Sequence, residues 1–112
     1  PPEVSDEKKQ YLGLWEGNWD GILNSKFAIE KVTQDGAVIV YAWGTAPRAG
    51  VRNAGSRRAE GRWTSRGLVA EYDSGFRTIV RLDAEDDVLN ANWFGPNGNS
   101  SEAVFRRLEK DG

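Results

Sequence analysis

The chain has 112 residues, with 15 basic and 17 acidic side chains for a net charge of −2. One domain of that length buries about two-thirds of its unfolded surface around a single core, and so even a balance gives no electrostatic reason to expect nucleic acid or a membrane surface as partner. Cysteine and histidine are absent, which excludes disulfides, thiol nucleophiles, imidazole bases and the usual zinc ligands.

Any metal would need oxygen ligands, and no spaced Asp/Asn loop of the calcium type is present, so no cofactor is expected. The longest apolar run, Ala37 to Trp43, is too short to span a bilayer, and the domain is expected to be soluble. No N-terminal stretch joins a basic patch to an apolar run, so no signal peptide is read in this chain. The Pro1-Pro2 start and the lack of methionine are read as a processed or trimmed product, which leaves export and localisation open.

Taken in chain order, residues 1–12 read as an extension with a brief helix over Ser5-Asp6-Glu7-Lys8-Lys9-Gln10. Ser5 is its N-cap and acidic residues fill its first turn. Residues 13–112 read as a single β domain. Period-2 alternation predicts strands over Leu14–Gly21, Lys26–Val32, Ala37–Trp43, Ser56–Trp63, Leu68–Tyr72, Phe76–Leu82, Val88–Phe94 and Glu102–Leu108. Gln34-Asp35-Gly36, Thr64-Ser65-Arg66-Gly67 and Asp73-Ser74-Gly75 supply the positive φ that tight hairpins require. Asp83 to Asp87 and Gly95 to Ser100 read as polar loops. About eight short strands in a meander close on themselves to remove their edges. The expected fold is therefore all-β, an eight-stranded antiparallel up-and-down barrel.

Alternation then assigns an interior. It selects Trp15, Gly17 and Trp19, then Phe27 and Ile29, then Ala59, Gly61 and Trp63. Leu68, Ala70 and Tyr72 follow, with Phe76, Thr78, Val80 and Leu82, then Leu89, Ala91 and Trp93, and finally Ala103, Phe105 and Arg107. The other register carries Arg58, Glu60, Arg62, Glu71, Arg77, Arg81, Asn90 and Asn92, as a solvated face should. On the third strand the two registers are equally apolar and the facing stays open.

The run Tyr11-Leu12-Gly13-Leu14-Trp15, leading into Glu16-Gly17-Asn18-Trp19, resembles the opening signature of lipocalins and their calycin relatives. In that family the tryptophan closes one end of the barrel and an arginine of the last strand packs across it. The resemblance thus implies that Trp15, with Arg106 or Arg107, forms a structural lid. This chain is shorter than the usual lipocalin, with no helix after the last strand.

Connections at the end opposite Trp15 are expected at Leu23–Ser25, Ala46–Gly55, Asp73–Gly75 and Gly95–Ser100. Loops at a barrel mouth are where ligand contacts gather. The expected function is non-catalytic binding of a small, partly apolar or aromatic ligand. Stacking on Trp19, Trp43, Trp63 or Trp93 would hold it, with Tyr41, Tyr72 and Asn92 or Arg52 as polar contacts. Tyr72 and Phe76 flank a further turn of that rim. Arg48, Arg52, Arg57 and Arg58 form a basic run near it, which reads either as a receiver for an anionic ligand or, more simply, as a solubilising loop and strand face. Two other classes stay open: a carbohydrate-binding accessory domain using rim tryptophans, and a small isomerase or hydratase using a cavity tyrosine, arginine or acid. Glu16 and Asp20, four apart on one strand face, are the nearest thing to a carboxylate pair. The oligomeric state is left open.

Overall fold

The computed structural model describes residues 4–21, 23–45, 53–73 and 75–108. Its strands are β1 (Gly13–Trp19), β2 (Leu23–Val32), β3 (Gly36–Trp43), β4 (Gly55–Thr64), β5 (Gly67–Glu71), β6 (Arg77–Asp83), β7 (Val88–Phe94) and β8 (Ser100–Arg107). They form one closed antiparallel barrel in simple chain order, with β8 returning to pair with β1. A four-residue helix, α1 (Asp6–Lys9), precedes them, and the Ser5 hydroxyl caps it by accepting from the Lys8 amide at 3.3 Å.

The expected strands and the observed ones coincide to within a few residues, because side-chain alternation and turn chemistry specify the same breaks. One boundary differs. Leu23–Ser25 lies inside β2, not in a connection, and the chain reverses instead at Asp20 and Gly21. Both have positive φ, 56° and 73°, the conformation a tight hairpin demands. Asp20 thereby leaves β1 and shares no strand face with Glu16.

The third strand resolves its own ambiguity. Ile39 pairs with Ile29 and Ala59, and Tyr41 pairs with Phe27, so Ala37, Ile39, Tyr41 and Trp43 face inward. Val38, Val40 and Ala42 lie half-buried on the outer wall. A bulge in β2 between Ile29 and Lys31 sets Glu30 outside the ladder, where it receives Arg58 at 2.8 Å.

The barrel interior is packed with side chains. Trp15, Phe27, Ile39, Leu68, Val80, Leu89 and Phe105 are fully buried. Each contributes about 1.5–3 kcal/mol of apolar transfer on folding. Phe27 and Phe105 meet at 4.8 Å between centroids, and Phe105 occupies the space above Gly17, where a Cβ would come within 2.7 Å of its ring. Two seams of the wall are short. β1 meets β8 only at Trp15↔Arg107 and Glu16↔Arg106, and β4 meets β5 only from Arg62↔Val69 to Thr64↔Gly67. Both short ladders lie toward the Trp15 end, so the wall is most tightly knit there.

Candidate functional site

The two ends of the barrel are built differently. At the Trp15 end, the indole Nε1 donates to the Tyr11 carbonyl at 3.0 Å, and the Arg107 guanidinium lies over the ring at 4.1 Å. Arg107 donates further to the carbonyls of Leu12 (2.6 Å) and Gln10 (2.7 Å), and grips Asp87 through two bonds of 3.0 and 3.1 Å. Those hydrogen bonds hold the Asp87 carboxyl below the ordinary carboxylate range. Tyr11 packs edge-on against Trp63 at 4.9 Å, and its hydroxyl accepts from the Leu82 amide. The Lys8 ammonium sits over Trp63 and donates to the Gln34 carbonyl. Among the described residues no buried side-chain nitrogen or oxygen is left without a partner.

The opposite end is lined by rings. Trp19, Tyr41 and Tyr72 are buried, while Trp43, Phe76 and Trp93 are half-exposed above them. The rings run in sequence around the opening. Tyr41 meets Trp43 at 5.6 Å, Trp43 meets Phe76 edge-on at 6.3 Å, Phe76 stacks on Tyr72 at 4.5 Å, and Phe76 reaches Trp93 at 6.0 Å. Offset and edge-on pairs of this kind add roughly 0.5–1.5 kcal/mol each beyond their buried area.

Two of the rim indoles are seated on glycines. A Cβ on Gly55 would fall 2.6 Å from the Trp43 ring, and one on Gly95 equally close to Trp93. Trp43 is further fixed by donating its Nε1 to the Asn53 carbonyl at 3.2 Å. The exposed faces of both rings are thus presented in a defined plane.

Beneath the rim lies a small polar network. Trp19 Nε1 donates to the Tyr41 hydroxyl at 2.8 Å, and Ser25 Oγ shares a hydrogen bond with that hydroxyl at 3.1 Å. Tyr72 and Thr78 share another at 2.9 Å. Burial pushes both tyrosine hydroxyls above their ordinary range, more than their hydrogen bonds pull them down. They are therefore protonated near neutral pH, suited to hydrogen bonding and not to acting as bases.

The inward registers of the described strands carry just two charged side chains. One is Arg107. The other is Arg57 of β4, which shares parity with Ala59 and Gly61, pairs across the sheet with Tyr41, and lies 5.5 Å over the Trp43 ring. Alternation in the sequence assigns the interior of β4 only from Ala59 onward and leaves Arg57 in a basic run open to two readings, anion receiver or solubilising face, with its inward register unassigned. Counting two residues back from Ala59 would have found it.

Of the residues expected at the mouth, the structure brings together Trp19, Tyr41, Trp43, Tyr72, Phe76 and Trp93, and of the basic run it places Arg57 over Trp43. Trp63 lies elsewhere: it stands beside the β4–β5 turn at the Trp15 end, donating its Nε1 to the Thr33 carbonyl at 2.9 Å. Asn92 is also removed from the mouth. Its neighbours Ala91 and Trp93 face inward, so its own side chain lies on the outer wall in a shallow groove with Ile79, Arg81, Asn90 and Phe94. Arg52 lies outside the described residues. Of the two candidate lid arginines, Arg107 packs on Trp15 and Arg106 is exposed. The carboxylate pair dissolves: Glu16 faces Lys26 at 3.8 Å, and Asp20 accepts from Ser101 Oγ at 3.2 Å.

Compared with known proteins, the chain matches no family model and no curated relative.

Proposed function

We propose that this protein is a non-catalytic binding domain of lipocalin-like type that takes a small, partly apolar or aromatic molecule at the open end of its barrel. The reading rests on the contrast in exposure within one aromatic cluster: Trp43, Phe76 and Trp93 are half-exposed at the rim while the rings and hydroxyls below them are buried and hydrogen-bonded. A guest stacked on the rim covers apolar surface that folding leaves in water. Because the lower interior is packed, the guest sits in the mouth as a ring-sized ligand. A long-chain ligand would need the space that Phe27 and Phe105 fill.

The test is a small-molecule screen by thermal shift, followed by titration of the best aromatic hit into Trp43→Ala and Trp93→Ala. Each substitution is expected to weaken binding by about 1–3 kcal/mol, the scale of an aromatic hot-spot contact, and to destabilise the fold by less than truncating Trp15. Oligosaccharides belong in the same screen. A response to them alone would assign the rim tryptophans to sugar stacking, and two variants that unfold without any ligand found would assign them to the core.

A further inference from the structure

We propose that the mouth is selective for planar anions, with Arg57 pairing with the carboxylate of an aromatic acid whose ring lies on Trp43. The proposal rests on the reading of the mouth as a ligand site and names the class of ligand.

Three independent features of the geometry converge on Arg57. The first is register. A charged residue on the inward face of a small barrel is normally displaced by the apolar interior, since burying an unpaired charge is costly. Arg57 escapes that cost only because it stands at the rim, where it remains exposed. The second is its seat. Trp43 pairs with Gly55 and Tyr41 with Arg57, so indole, glycine, phenol and guanidinium occupy four adjoining inward positions on β3 and β4. Gly55 keeps the indole flat against β4, and the guanidinium rests over it at 5.5 Å. The guanidinium carries five N–H donors in a planar fork, the geometry a carboxylate accepts through two bonds.

The third is its want of a partner. Arg57 makes one hydrogen bond, from Nη1 to the Ser56 carbonyl at 2.8 Å. Glu30 pairs instead with Arg58, Glu71 with Arg62, and Asp20 accepts from Ser101. Among the described residues no carboxylate pairs with Arg57. Below it, the protonated Tyr41 and Tyr72 hydroxyls add no negative charge that would repel an anion.

The experiment compares two probes with the same ring, 1-naphthoate and 1-naphthamide, titrated near neutral pH while tryptophan emission is followed. The parent is expected to bind the anion more tightly than the amide. Arg57→Gln is expected to weaken naphthoate binding roughly ten-fold, the scale of one charge-assisted hydrogen bond, and to leave naphthamide unchanged. Added salt is expected to weaken naphthoate and not naphthamide in the parent, a check that needs no variant. Equal binding of both probes, or a naphthoate affinity indifferent to Arg57→Gln and to salt, would overturn the anion assignment and leave the aromatic mouth standing. Failure of the parent to bind either probe would overturn both.

Discussion

Each end of this barrel sets an inward-facing arginine over a tryptophan, and the two pairs have opposite characters. Arg107 lies 4.1 Å over Trp15, makes two carbonyl contacts and grips a carboxylate twice. Arg57 lies 5.5 Å over Trp43 with a single bond to a neighbouring carbonyl. The chemistry of the pair is the same, and what differs is how many hydrogen bonds the protein itself supplies. An arginine whose donors are used up within the fold stabilises that fold. One whose donors are left over is available to something else.

The largest effect that distinguishes the ends is expected from Trp15→Ala. Truncating this fully buried indole should cost about 3–5 kcal/mol, read as a large fall in the unfolding midpoint, with ligand affinity of the folded fraction little changed. An unaltered midpoint would remove the structural role assigned to the Trp15 end. A smaller but more pointed contrast comes from replacing each arginine by methionine, which keeps the apolar stem. Arg107→Met should cost about 1–3 kcal/mol in denaturant unfolding, because it strips hydrogen bonds from the Gln10 and Leu12 carbonyls. Arg57→Met should stay within about 0.5 kcal/mol, as for an ordinary surface substitution. Equal costs would erase the distinction.

The smallest effect is one of pH, and its sign differs between the ends. Asp87 has a folded pKa below its unfolded value, so its contribution is present above the unfolded carboxylate range and is lost as pH falls through the lowered value. Tyr41 and Tyr72 have folded values above the unfolded one, so their contribution is complete below the ordinary tyrosine range and is lost as pH rises beyond it. Acid should therefore loosen the Trp15 end and alkali the mouth. Tryptophan and tyrosine emission followed through both titrations, with Asp87→Asn as the acid control, would read the two separately. An acid transition that Asp87→Asn leaves unmoved would count against the Arg107 grip.

Much of the barrel is legible from alternation alone, because one slipped residue would turn every side chain of a strand to the wrong face. Trp15, Phe27, Leu68, Val80, Leu89 and Phe105 are all found where parity puts them. Parity says which face a residue occupies and not how far along the barrel axis it stands. Trp63 is inward as expected, but at the far end, because it is one residue from the close of β4 at Thr64. Asn92 fails for the opposite reason: its height is right and its parity excludes it. The third strand was illegible because Val38 and Val40 are as apolar as Ile39, and only cross-strand partners decide between them. Arg57 is visible in the sequence within the basic run near the rim, but its inward facing is not, because a charge in a strand reads as solvent-facing by default, a rule that lapses at a barrel rim.

The grip of Arg107 on the Gln10 and Leu12 carbonyls has a consequence for attachment. It ties the segment before β1 to the last residue of β8, and the Leu108 amide adds a bond to the Leu14 carbonyl at 2.9 Å. Both termini of the barrel thus leave from one pole, the one opposite the aromatic opening. A tether, a surface anchor or a fused neighbour joined at either end would hang from that base. The aromatic opening would then lie at the pole away from the attachment.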